Sequence, residues 1–316
     1  MMKQLLFTAV ASMGMAAVIV CGAPQQAQAK NKNSDEHSSD DHGRGHSKDK
    51  DDKDKKDRDE TRNFVLPVVF QAAGPSAASI QATVDSFRAA LGNPNNGNTP
   101  GPLLLGRREI NWDGGGANTT TAPVTPFDVF LNTRGGQFTT PGDGLSQAPP
   151  AGGPDDGLAG LFNNPTYGLI FTAFSPLRLF TPVDSNVTES FFFVPGSNGG
   201  IPATVNGFGA VFTDVDRQDG FTSSKKREGR RVGTLIEYFG IADDDDDDDE
   251  RLLFKSFVPA SPGDGSQSFF GAIFDAARIS RVRITTGNVE PGRDDDRKHD
   301  VVMMDDFIYG EPQPAD

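Results

Sequence analysis

The stretch that most limits the fold lies near the C-terminus: Asp300-Val301-Val302-Met303-Met304-Asp305-Asp306-Phe307-Ile308-Tyr309. Strand alternation places Val301, Met303, Asp305, Phe307 and Tyr309 on one face and Val302, Met304, Asp306 and Ile308 on the other. Both faces are apolar, so the strand belongs inside a sheet that is covered on both sides. Each face nevertheless carries one aspartate. A buried carboxylate without a partner costs several kcal/mol, so each needs an arginine, backbone N–H donors or a metal ion. Arg281 and Arg283, on one face of a neighbouring strand candidate, are one set of partners. The other is Ca²⁺, a hard cation shared with Asp214, Asp216 or Glu109.

The rest of the chain supplies strands for such a sheet. Runs near 107–112, 127–131, 136–140, 167–174, 177–181, 187–194, 205–213, 232–239, 251–258, 267–274, 278–285 and 300–309 are separated by Gly and Pro turns. Short strands without intervening helices predict an all-β, jelly-roll-like antiparallel β-sandwich. One helix is expected, over 76–91, where Ile80, Val84, Phe87 and Leu91 form a single apolar stripe between Pro75 and Gly92. It reads as a lid packed on the sandwich. Residues 64–70 form an opening extended segment, and 93–102 and 141–157 are long loops.

The first 62 residues are different material. Met1 to Ala29 has the layout of a secretory signal: Lys3, an apolar run from Leu5 to Val20, and Ala27-Gln28-Ala29 at the cleavage position. Cys21 is the only cysteine and follows Val20 rather than a small residue, which disfavours lipidation. Cleavage after Ala29 leaves a chain without thiols, hence without disulfides or thiol catalysis. Residues 30–62 mix Lys, Asp, His and Ser finely and have nothing to bury, so a disordered charged linker is expected there. His37, His42 and His46 offer at most a loose transition-metal tract. The folded domain is expected over 63–316. Its end, Glu311-Pro-Gln-Pro-Ala-Asp316, has no apolar tail, and the expected location is secreted, extracellular or periplasmic. A formal charge of −14 disfavours a nucleic-acid partner.

Three groups could carry chemistry. Asp214-x-Asp216-x-x-Asp219-Gly220 follows the apolar row Phe208, Ala210, Phe212 and resembles a calcium loop, but no glutamate stands where an EF-hand needs one. A calcium site assembled from several loops fits better, with Asp305, Asp306, Asp214, Asp216, Asp219 and Glu109 as candidate ligands. In Arg107–Gly114, Trp112 with Asn111 and Asp113 could stack on and hydrogen-bond a sugar; the alternative is a core tryptophan with polar neighbours facing solvent. Asp243–Asp249 and the basic Lys225–Arg231 stretch read as charged loops, the former holding counterions diffusely. His299 is the only histidine after position 46, and no Gly-x-Ser-x-Gly elbow is present, so a serine triad or a three-histidine zinc site finds little support. Carboxylate pairs among Glu109, Asp113, Glu189 and Glu237 leave a glycoside hydrolase open.

The pieces Ala78–Gly92, Gly106–Gly114, Phe208–Asp216 and Met304–Gly310 resemble an uncharacterised family of secreted bacterial β-sandwich proteins. The last two are also similar in strand pattern to exosortase-sorted surface proteins and calcium-bearing jelly-roll modules. That resemblance implies a fold and a structural calcium ion near the final strand, and no activity. The chain departs from sorted proteins in lacking a C-terminal anchor. The function expected first is a secreted non-catalytic binding module with a glycan as ligand and a structural calcium site. An extracellular matrix protein with cation-collecting acidic loops is the alternative, and a secreted hydrolase the third.

Overall fold

The computed structural model describes residues 66–114, 118–218, 233–241, 250–275 and 279–315. The expected signal, the charged linker, Asp219, the basic stretch 225–231 and the aspartate run 243–249 lie outside the described residues.

In chain order the elements are β1 (Val68–Gly74), α1 (Ala77–Leu91), β2 (Arg107–Ile110), α2 (Leu131–Arg134), β3 (Gly136–Thr139), β4 (Gly144–Ala148), α3 (Gly157–Leu161), α4 (Tyr167–Ile170), β5 (Leu179–Val183), β6 (Val187–Phe192), β7 (Ala203–Thr204), β8 (Gly207–Thr213), β9 (Leu235–Ile241), β10 (Glu250–Phe257), β11 (Gln267–Ile273), β12 (Arg281–Thr285), β13 (Met303–Gly310) and β14 (Gln313–Pro314). A seven-stranded sheet runs β1-β11-β8-β13-β5-β4, with β2 also paired to β13. A five-stranded sheet runs β10-β9-β12-β6-β3, and β14 pairs with β7. Every strand pair is antiparallel. The protein is an all-β antiparallel sandwich: one core cluster joins the inner faces of both large sheets, with Phe208, Phe212, Phe270 and Phe307 from one and Phe138, Ile236, Val282 and Ile284 from the other.

Strand β13 is buried at every position, in the middle of the larger sheet. Its faces do not follow simple alternation. Met304 pairs with Phe212 and Phe307 with Ala210, so Asp305 and Asp306 together face the single residue Val211. This β-bulge shifts the side-chain phase by one. Val302 and Met304 before it, and Phe307 and Tyr309 after it, all enter the inter-sheet core, while Ile308 turns to the outer face. On the strand's other edge the partner changes at the same place, from β5 at Met304 to β2 from Phe307 onward.

Helix α1 covers the outer face of this sheet with the four residues its period predicted: Ile80, Val84, Phe87 and Leu91, all buried. It closes at Gly92, whose φ of 108° few other residues adopt and whose N–H donates to the Ala89 carbonyl. Beneath it the sheet is hollowed by glycines. Gly209 and Gly271 face each other across β8 and β11, and a Cβ on either would come within 2.7–2.8 Å of the Phe87 ring. Gly207 likewise makes room for Leu91. An aromatic side chain can therefore sit directly on backbone, edge-on to Phe70 and Phe269.

Several expected elements differ. Residues 127–131 give one bridge, Phe127 to Phe138, and then enter α2. The aromatic run from 167 forms the single turn α4 and not a strand, with Tyr167 anchored by its hydroxyl to the Arg293 carbonyl. The loop expected over 141–157 contains β4, which pairs with β5. Among the described residues three short helices accompany the one long one.

Candidate cation site

Strands β8 and β13 run antiparallel with Thr213 opposite Met303, so the residues leaving β8 meet those entering β13 at one end of the sheet. Asp214 takes the left-handed region, with φ of 68°, a conformation that aspartate tolerates better than most side chains. The reversal sends Val215 into the inter-sheet core and turns Asp214 out of the row formed by Phe208, Ala210 and Phe212. Its N–H donates to the Ser266 carbonyl at 3.1 Å. Its side chain is 1% exposed, and among the described residues neither carboxylate oxygen has a hydrogen-bond partner.

Beside it, Asp216, Asp295 and Asp300 each bring one carboxylate oxygen within 4.8 Å of the others. Each also spends an oxygen on backbone. Asp216 Oδ1 accepts from Gly263 N–H at 3.2 Å, Asp295 Oδ1 from Val301 N–H at 2.9 Å, and Asp300 Oδ1 from Asp216 N–H at 3.3 Å. These bonds aim the carboxylates inward and leave their second oxygens free; Asp300 Oδ2 is buried without a partner. Asp264 adds a further negative charge acting on Asp214 and Asp295. Burial first, and mutual repulsion after it, push Asp214 up to about 8. Burial also lifts Asp300 to about 7, against the Asp216 N–H, and Asp295 to about 6, against the Val301 N–H. No ion pair among the described residues involves any of these four aspartates. Hard carboxylate oxygens converging from the exit of β8 and the 294–300 loop suit a hard cation, whose charge would offset their mutual repulsion.

The residues singled out from the sequence divide between this cluster and a second place. Asp216 belongs to the cluster of three and Asp214 stands beside it, within reach of its charge; Asp305, Asp306 and Glu109 lie elsewhere. Asp305, fully buried, accepts from Phe174 N–H at 2.6 Å, Ser175 N–H at 3.3 Å and Asp306 N–H at 2.8 Å. The Ser175 hydroxyl lies 3.2 Å from Asp305 Oδ1 and 2.7 Å from Asp306 Oδ1. Asp306 pairs with Arg88 of α1 at 3.1 Å, and Arg88 and Arg107 both hold Glu109. Burial pushes both aspartates above the usual carboxylate range, helped at Asp305 by its neighbour and opposed at Asp306 by Ser175 and Arg88. The arginine partner is thus Arg88. Arg281 and Arg283 lie in the other sheet and pair with Glu189, Arg281 also with Glu250.

Trp112 is a core residue. It stacks on Phe180 at 3.7 Å, meets Phe127, Phe130, Phe138 and Phe307 edge-on, and donates from Nε1 to the Asp305 carbonyl at 3.0 Å. At 0% exposure it has no face for a sugar. Asp113 holds the backbone N–H groups of Leu177 and Arg178, and Asn111 donates to Asp113. Asp295, Asp300 and Asp264 went unrecognised as members of a site. The signal for them was the acidic run Asp294-Asp295-Asp296 four residues before Asp300, which becomes informative once β8 and β13 are seen to be neighbours.

Comparison with protein-family models, curated proteins and solved structures finds no match to the chain. No helix among the described residues is long and apolar enough to cross a membrane.

Proposed function

We propose that the chain is a non-catalytic β-sandwich binding module of the secreted type, stabilised by a Ca²⁺ ion held by Asp214, Asp216, Asp295 and Asp300. One observation carries the reading: Asp214 is 1% exposed and, among the described residues, neither of its carboxylate oxygens has a hydrogen-bond partner. An isolated carboxylate in that setting is the arrangement folded proteins avoid, and a bound cation removes the cost. Calcium is favoured over Mg²⁺ because carboxylates from separate loops give an irregular, oxygen-rich shell, whereas Mg²⁺ demands a near-octahedral one. The secretory layout of the first 29 residues fits a compartment that supplies this ion. The buried Trp112 gives a glycan no aromatic platform, so the cation site, not the Trp112 group, is the site proposed here.

Calorimetric titration of chelator-treated full-length protein with CaCl₂ tests this. One site per chain is expected, lost in Asp214→Asn and Asp300→Asn and kept in Asp113→Asn. No heat of binding in folded wild-type protein, or unchanged binding in both cluster variants, would overturn the assignment.

A further inference from the structure

The free edges of the two large sheets are not treated alike. The β4 edge is covered by the segment before it, through Val124 to Leu145 in both directions and Thr121 N–H to the Gln147 carbonyl. The β3 edge is covered by Phe127, which exchanges both backbone bonds with Phe138. The outer edge of β2 is taken by residues 94–96. Strand β10 carries Glu250, Arg251 and Lys255 and a register shift between Leu252 and Phe254. Covering, charging and bulging are the means by which sheet edges are kept from pairing with other chains.

Among the described residues strand β1 has none of these. Val68-Val-Phe-Gln-Ala-Ala-Gly74 contains no charge and no proline, and its register with β11 is unbroken over all seven pairs. Among the described residues no hydrogen bond beyond that ladder involves it. In a chain of formal charge −14 it is a neutral edge at which two copies can meet without opposing carboxylates. Its sequence is also self-complementary in size. Antiparallel pairing about a two-fold axis at Gln71 sets Val68 against Gly74, Val69 against Ala73 and Phe70 against Ala72, a large residue facing a small one each time. Gln71 then faces Gln71, where two amides can bond to each other. Phe70 and Ala72 pack on the α1 side and Val69 on the inter-sheet core, so both layers would continue across the join.

The geometry points to a homodimer formed by antiparallel addition of β1 to β1 of a second copy, with Gln71 on the two-fold axis. A seven-residue strand pair alone falls short of the about 800 Å² per partner of a stable interface, so the association should depend on concentration. Facing residues of an antiparallel pair have Cα atoms about 4.5–5.5 Å apart, within disulfide reach. The test uses the full chain carrying Cys21→Ser. Sedimentation velocity over a concentration series should show monomer converting to dimer. Gln71→Cys should then oxidise to a covalent dimer in high yield, and a cysteine placed at exposed Asp184 should not. Gln71→Lys, which opposes two ammonium groups at the axis, should weaken dimerisation at least tenfold while the melting temperature holds. A single monomeric species at every concentration overturns the proposal. So does a dimer that links no better through position 71 than through 184, or that Gln71→Lys leaves intact.

Discussion

Asp214 carries a carboxyl group where water does not reach it, and its titration gives the site a direction in pH. Its folded value of about 8 lies above the ordinary 3.8, so the fold penalises the charged form. In ion-free protein this group's contribution is most favourable below about pH 4 and is lost as pH rises towards 8. Asp300, at about 7, and Asp295, at about 6, add slopes of the same sign. The melting temperature of chelated wild-type protein should therefore fall between about pH 4 and pH 8, and Asp214→Asn should flatten the fall and melt higher than wild type at pH 8. Superimposable pH profiles for the two proteins would mean that Asp214 has a partner the structure does not show. At this scale the sequence was partly readable. Ile110 and Trp112 both enter the core, whereas Asn111 is exposed and Glu109 and Asp113 are half-buried. Which layer lies against Trp112 does not follow from phase, and only the neighbouring phenylalanines decide between a sugar platform and a core.

Between elements, the tightest fit is helix α1 on the glycines of β8 and β11. Gly271→Ala places a methyl group within 2.7 Å of the Phe87 ring, and the displacement should cost about 1–3 kcal/mol in denaturant unfolding. Phe87→Leu in the same chain should recover part of that loss, since the two changes relieve one contact; strictly additive effects would contradict the packing. The helix was legible because its stripe at Ile80, Val84, Phe87 and Leu91 has one reading. Strand β13 was legible as central but not in phase. With apolar residues on both faces, nothing in residues 300–309 shows that the chain bulges at Asp305-Asp306. Strand β4, Gly-Leu-Ser-Gln-Ala, lacks β-branched residues and owes its extended form to pairing with β5. The run from Tyr167 has strand-like residues yet turns helical where its aromatic rings pack on Phe162 and Phe171.

For the whole molecule, antiparallel pairing of β8 with β13 brings together residues some eighty positions apart, and no local pattern could have joined Asp216 to Asp295 and Asp300. Sandwich topology places the exit of β8 and the 294–300 loop around one point, and the proposed cation would tie both to the sheet. Because such an ion binds the folded chain and not the unfolded one, it should stabilise by mass action, about 2.7 kcal/mol at a hundredfold excess over its dissociation constant. The central claim is therefore tested most directly by thermal melting of purified, calcium-loaded full-length protein with and without chelator, alongside Asp214→Asn. Chelation should lower the wild-type melting temperature by several degrees and leave the variant unmoved. Wild-type curves that superimpose with and without chelator would contradict the account.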